Sequence, residues 1–196
     1  MNDTNKYIVL QIRNMVSSRC ISLVQNLLGT IPNILIEKVY LGAAQVQLKE
    51  GKFDFINFQK KLQELGFDLI YDKETALFEA IKVAVLEMIY YGNNLNTIIR
   101  NSDYLSDKLA QPYSFLSKLF SDNAPVTLEK YIILVKIERV KELLSYNEMT
   151  LSEISYQMGY SSVQYLSNQF KQITNFSVSE YKLLPIKPRI PLDQLI

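Results

Sequence analysis

The chain contains no histidine. A Ser-His-Asp or Cys-His nucleophile pair, a histidine proton shuttle and a histidine-ligated zinc are therefore excluded. There is a single cysteine, Cys20, so no intrachain disulfide and no CxxC metal or redox pair can form, which fits a reducing compartment. An excess of either charge is also lacking: 21 basic and 20 acidic side chains leave a net +1. A strongly basic nucleic-acid module is thus not visible from charge alone. Apolar stretches such as Ile81–Tyr91 and Tyr131–Val135 are interrupted or flanked by charges and are too short to span a bilayer. No signal-peptide pattern opens the chain. No Gly-rich phosphate loop and no carboxylate pair at defined spacing is present. The expectation is a cytoplasmic protein that is not an enzyme, has no cofactor and has no contact with membrane.

What remains is a chain of 196 residues, 48% hydrophobic, long enough for one large domain or two small ones. The first part alternates strand and helix signals. Lys6–Arg13 places Ile8, Leu10 and Ile12 on one face of a strand. Cys20–Leu28 has helical spacing, with Ser17 and Ser18 to cap its start and Gly29 to end it. Ile34–Leu41, a break at Gly42 and the alternating Ala44, Val46 and Leu48 form a hairpin. Phe55, Phe58, Leu62 and Leu65 mark a second helix closed by Gly66, and Phe67–Tyr71 is a last short strand. The order βαββαβ is that of the split βαβ in ferredoxin-like folds.

From Asp72 onward the pattern is helical. Glu74–Tyr91 ends at Gly92, and further helices are predicted at Ser102–Leu109, Tyr113–Ser121, Thr127–Ser145, Leu151–Met158, Ser162–Ile173 and Val178–Leu183. Thr150/Glu153, Ser161/Gln164 and Ser177/Glu180 each fit a capping box. The segment Pro185–Pro191 cannot be helical and is predicted to be extended. No tandem repeat of fixed period stands out. The fold class is α+β: a ferredoxin-like domain over 1–72, a connecting helix over 73–93, an all-α domain over 94–184 and a Pro-containing tail over 185–196. Glu138, Arg139, Lys141 and Glu142 are expected on a solvated face of the long helix.

Leu151–Phe170 has the form of a helix-turn-helix, with Gly159 where the turn needs positive φ. Ile154, Met158, Tyr160, Leu166 and Phe170 are expected inside. Ser161 and Ser162 open the second helix, whose outer face carries Val163, Gln164, Ser167, Asn168 and Lys171. In a helix-turn-helix this face enters the major groove, where Gln and Asn can bind adenine bidentately. Gln164 is equally explained as the partner of Ser161 in a cap. A looser echo lies upstream. Leu116-Ser-Lys-Leu-Phe120 resembles Leu166-Ser-Asn-Gln-Phe170, and its outer face carries Ser114, Ser117, Lys118 and Ser121. The helix between the units, about 19 residues, is roughly 28 Å long, close to one DNA turn of roughly 34 Å.

The stretch Asn94–Leu184 resembles the AraC-type DNA-binding domain, two helix-turn-helix units joined by a long helix. The residues that carry this are Tyr131–Leu144 for the joining helix. Leu151-Ser-Glu-Ile, Gly159-Tyr-Ser-Ser, Tyr165-Leu-Ser, Phe170-Lys and Ser177-Val-Ser-Glu-Tyr181 match the C-terminal signature. Asn175-Phe-Ser-Val178 stands where that family usually has a glycine-led turn, and Asn168 where a basic residue is frequent. The resemblance implies a transcriptional regulator whose partners are double-stranded DNA and RNA polymerase. It implies base contacts from Ser114, Ser117, Lys118, Val163, Gln164, Ser167 and Asn168. A homodimer is expected from the shortage of basic residues. The N-terminal part resembles the heavy-metal-associated domain, in which Met-x-Cys-x-x-Cys holds a soft metal. Here the segment is Met15-Val-Ser17-Ser-Arg-Cys20, a degenerate motif from which no metal binding is expected. The alternatives are a protein-interaction module that has lost DNA binding, or a metal-trafficking or sensing protein.

Overall fold

The computed structural model describes residues 6–49, 53–92 and 100–196. The chain divides into two compact units, Met1–Val83 and Ala84–Ile196. It is mixed helix and sheet: a four-stranded antiparallel sheet lies in the first unit and the second is helical. The first residues of the predicted helical domain, 94–99, lie outside the described residues.

In the first unit the elements run β1 (Lys6–Arg13), α1 (Ser18–Gly29), β2 (Ile34–Tyr40), β3 (Ala43–Leu48), α2 (Phe55–Glu64) and β4 (Asp68–Ile70). The spatial order is β2-β3-β1-β4. Alternation does the sorting. Leu10 and Ile12 are buried opposite Ala44 and Leu69, while Tyr7 and Val9 stay exposed. Val24 and Leu28 of α1 and Phe58 and Leu62 of α2 join Leu10, Ile12, Ala44 and Val46 in one core. The tight turn between β2 and β3 needs Gly42, whose φ is +80° and whose Cβ would lie 3.2 Å from Val83. Gly29 does not end α1 in a left-handed conformation. It is the last helical residue, Thr30 follows in right-handed geometry, and positive φ falls at Asn33 instead. Ser17 precedes α1 in extended geometry, but its Oγ makes no cap; it lies 3.4 Å from Cys20 Sγ.

Helix α3 (Lys73–Tyr90) contains the division between the units. Its part within the first unit buries Glu79 and Lys82, which pair at 3.2 Å, and Arg13 of β1 reaches Glu79 at 3.8 Å.

The second unit continues with α4 (Asn101–Leu109), α5 (Tyr113–Asn123), α6 (Leu128–Tyr146), α7 (Leu151–Gln157), α8 (Val163–Thr174), α9 (Val178–Leu183) and a 3-10 turn at Leu192–Gln194. Caps set the starts. Thr127 and Ser162 accept from the backbone N–H three residues on, and Thr150 and Ser177 form complete capping boxes with Glu153 and Glu180. Ser161 and Gln164 do not form the third predicted box, because the helix starts one residue later and Ser162 takes the cap.

Helix α6 is the axis of this unit. Tyr131, Val135, Ile137, Val140 and Leu144 are buried on it, and so are Glu138 and Lys141. The expected solvated face of Glu138, Arg139, Lys141 and Glu142 is therefore wrong, because the C-terminal tail lies over it. Glu138 accepts from Lys141 Nζ at 2.5 Å and from the Ile190 backbone N–H at 3.1 Å. Arg189 reaches Glu138 and Glu142 at 3.8 and 3.7 Å, and the Tyr181 hydroxyl donates to Pro188 O. Arg139 pairs with Glu142 at 3.0 Å and its guanidinium lies 5.0 Å from the centre of the Tyr90 ring. Burial pushes the Tyr90 hydroxyl up to about 12. Residues 185–191 form neither helix nor strand, and the chain bends at 185–186.

Two outcomes follow. Lys141→Met takes the closest cation from the buried Glu138 carboxylate, leaving it the Ile190 N–H and the more distant Arg189, and should cost about 3 kcal/mol of unfolding free energy in urea titrations. The double variant Glu138→Leu/Lys141→Met should recover most of that loss. Separately, the two hairpin turns pass through left-handed residues, Ala110 (φ 51°) and Gly159 (φ 68°). A Cβ at Gly159 meets nothing closer than Lys136 Nζ at 3.9 Å, so only backbone strain opposes it. Gly159→Ala should destabilise by roughly 1–2 kcal/mol, while Ala110→Gly should stabilise by up to about 1 kcal/mol. Equal effects of both in thermal melts would contradict this.

Candidate nucleic-acid interface

The helical unit is built twice. Residues 112–131 and 162–181 correspond at a constant offset of 50, which extends the echo of Leu116–Phe120 in Leu166–Phe170 as far as Tyr131 and Tyr181. Leu116, Ser117, Phe120 and Tyr131 recur as Leu166, Ser167, Phe170 and Tyr181. Position by position, 111–120 and 161–170 share the same sequence of buried, half-buried and exposed residues. Phe120 packs on Tyr131 with ring centres 5.2 Å apart, and Phe170 on Tyr181 at 5.3 Å. The turns match as well: Gln111 N–H donates to Ser106 O and Tyr160 N–H to Ser155 O. Each hairpin, α4–α5 and α7–α8, thus buries one stripe of its second helix and leaves the opposite stripe in solvent.

On α8 the exposed stripe carries Gln164, Asn168 and Lys171, with Ser161 exposed just before it. Val163 and Ser167 are half-buried, and Ser162 is committed to its cap. Gln164 Nε2 donates to Asn168 Oδ1 at 2.8 Å. The two amides one turn apart form a pair, and that bond leaves the Gln164 carbonyl and the Asn168 amide N–H groups to other partners. Tyr165, which the sequence reading did not place at the site, stands beside them, 54% exposed.

On α5 the equivalent stripe carries Ser114, Lys118 and Ser121, all exposed. Ser117 is drawn aside: it is half-buried, and its hydroxyl donates to Glu129 Oε1 at 3.3 Å alongside the Tyr113 hydroxyl at 2.9 Å. Burial raises the Glu129 carboxyl, but its backbone N–H, Tyr113, Thr127 and Ser117 outweigh that and hold it below the usual range. Burial and Glu129 push Tyr113 well up. Of the expected inner residues, Ile154, Met158, Leu166 and Phe170 are buried and Tyr160 is half-buried, donating to Gln169 Oε1 at 2.7 Å.

Between the hairpins, with α6 alongside, lies an open cleft of about 250 Å³. Tyr113 contributes from α5, Glu129 and Lys136 from α6, Tyr160 from the second turn, and Tyr165 and Gln169 from α8. Lys136 Nζ donates to Met158 O at 2.9 Å and sits 5.4 Å from the Tyr160 ring centre. Lys136 thereby closes the C-terminus of α7. Burial holds its pKa below the usual lysine value.

The residues of the degenerate motif do not suit a soft metal. Met15 is 1% exposed within the core, and Cys20 packs against that core with Ser17 as its polar neighbour. Among the described residues no group of three or more His, Cys, Asp or Glu side chains could hold an ion, and no helix is long and apolar enough to cross a membrane. Competition with a colorimetric Cu(I) chelator should show no stoichiometric uptake; tight uptake lost in Cys20→Ser would contradict this.

The family model for the helix-turn-helix domain matches residues 105–183. The chain is 30% identical over 95 residues to the Pseudoalteromonas carrageenovora protein named "Uncharacterized HTH-type transcriptional regulator in cgkA 5'region". That match covers 48% of this chain and 55% of the relative. The Xylose operon regulatory protein of Escherichia coli K12 is 28% identical over 99 residues, 50% of this chain and 25% of the relative. The crystal structure of the transcriptional regulator CdpR from Pseudomonas aeruginosa is similar at a TM-score of 0.43 and 13% identity, over 74% of this chain and 46% of that one. The chain thus spans about half, or less, of the length of these proteins. Residues 105–183 are a helix-turn-helix domain, and the relatives that share it by sequence are named as regulatory proteins of transcription or of an operon.

Proposed function

We propose that the chain is a sequence-specific DNA-binding transcriptional regulator of AraC type that acts without catalysis and reads two successive major grooves with α5 and α8. The observation that carries this is the repeat at an offset of 50. The cleft between the hairpins is lined by Tyr113 from α5 and by Tyr165 and Gln169 from α8. These are opposite flanks of equivalent helices, since Tyr113 corresponds to Val163, and Tyr165 to Phe115. Two copies that run parallel and turn opposite flanks towards one cleft point their exposed stripes to the same side, and that is the arrangement proposed here. The 19 residues of α6 set their separation at roughly 28 Å, near the repeat of a DNA turn. Base readout is assigned to Gln164 and Asn168 as a hydrogen-bonded pair, with Ser114, Ser161, Val163 and Ser167 at its margins. Phosphate contact is assigned to Lys118 and Lys171. Ser117 and Ser162 are held by Glu129 and by the helix cap and serve the shape of the interface.

In the first unit, the βαββαβ order and the strand order β2-β3-β1-β4 support the ferredoxin-like assignment. With few basic residues to neutralise phosphates, a homodimer is the form that would reach useful affinity. Contact with RNA polymerase belongs to the same reading.

The test starts from a duplex selected out of a random library. Gln164→Ala and Asn168→Ala should each cost about 1–3 kcal/mol on the selected site and much less on unrelated duplex. Their joint effect should fall short of the sum, because either change breaks the amide pair. Lys118→Ala and Lys171→Ala should weaken all duplexes and lower the salt slope by about one each. If both amide variants bind the selected site as the wild type does, α8 is not the reader.

A further inference from the structure

We propose that the cleft between the two hairpins receives a backbone phosphate of the bound duplex, with Lys136 as its cation and Gln169 and Tyr165 as further donors. This rests on the DNA-binding reading above and adds a contact outside the exposed stripes of α5 and α8.

Lys136 is an unusual lysine. It is half-buried, yet among the described residues it has no carboxylate partner. Buried lysines are ordinarily paired. An ammonium has three donors, and Met158 O accepts from this one. Burial is the cause of its lowered pKa, and an incoming anion would relieve that penalty. Gln169 accepts the Tyr160 hydroxyl through Oε1, which leaves its amide N–H groups able to donate into the cleft, and Tyr165 stands exposed at the rim.

The position of the cleft names the anion. If α5 and α8 occupy successive major grooves, the minor groove between them, with a phosphate backbone along each edge, faces the gap between the hairpins. A phosphodiester there meets the ammonium at charge-assisted hydrogen-bond distance. Glu129 is the other charge in the cleft. It lies seven residues away on α6, about 10 Å along the axis, and its carboxylate already accepts from Tyr113 and Ser117.

The experiment compares wild type, Lys136→Gln, Lys136→Arg and Gln169→Ala on the selected duplex and on an unrelated one, across a series of KCl concentrations, with melting curves as the fold control. Lys136→Gln should bind both duplexes several-fold more weakly, with the salt slope reduced by about 0.9, and Lys136→Arg should keep the slope. Gln169→Ala leaves the Met158 contact intact; it should weaken both duplexes without changing the slope, and it carries the test if Lys136→Gln melts early. An unchanged slope and affinity in Lys136→Gln and in Gln169→Ala, with wild-type binding intact, would overturn the proposal. Inorganic phosphate titrated into DNA-free protein distinguishes the source: saturation of the cleft by free phosphate with no change in duplex salt slope would make it a small-anion site and overturn the phosphodiester. Failure of the wild type to bind any duplex would overturn the parent reading, and this site with it.

Discussion

The hairpins α4–α5 and α7–α8 and the C-terminal tail are placed by what helix α6 offers. A helix buried on nearly all sides must satisfy its polar groups as well as its apolar ones. α6 does so along its length. Near its start Glu129 takes the Tyr113 and Ser117 hydroxyls and fixes α5. In its middle Lys136 takes Met158 O and fixes the end of α7. Towards its end Glu138 and Lys141 pair, and the tail closes over them through Arg189 and Ile190. The Glu138–Lys141 pair is the least tolerant of loss, because the partner left behind would remain buried. The scaffold thus dictates where two exposed helical stripes can stand, and the spacing of those stripes is the property on which DNA recognition would depend.

The two copies are not equivalent in chemistry. Where α8 has Gln164 and Asn168, α5 has Ser114 and Lys118. Amides can distinguish bases by donor and acceptor pattern, whereas a serine and a lysine make less selective contacts. On the proposed function, α8 supplies most of the specificity and α5 more of the anchoring. The bond between Gln164 and Asn168 also fixes which edge each amide shows. It occupies the Asn168 carbonyl, so the single-residue adenine contact expected from the sequence becomes a property of the pair.

Much of this was legible before the structure. The capping boxes at Thr150 and Ser177, the αL turn at Gly159, the alternation in β1 and the exposure of Gln164 and Asn168 follow from local rules. Three things were not. The left-handed Ala110 carries no turn residue to announce it. The full extent of the repeat is hidden beyond the Leu116–Phe120 echo, because only four positions between 112 and 131 are identical to their equivalents. The burial of Glu138 and Lys141 depends on a tail fifty residues away, and a charged pair three apart on a helix looks solvated until something covers it. At Ser161–Gln164 two motifs competed, and one residue of helix start decided between a cap and an exposed amide.

The central claim is that two helices of one chain read one face of a duplex a helical turn apart. Hydroxyl-radical footprinting on a selected duplex tests it most directly. The account predicts two protected patches on each strand, about 10 base pairs apart and on one side of the helix, with the patch assigned to α8 lost in the Gln164/Asn168 double alanine variant. A single patch of protection, or two patches on opposite sides of the duplex, would contradict it.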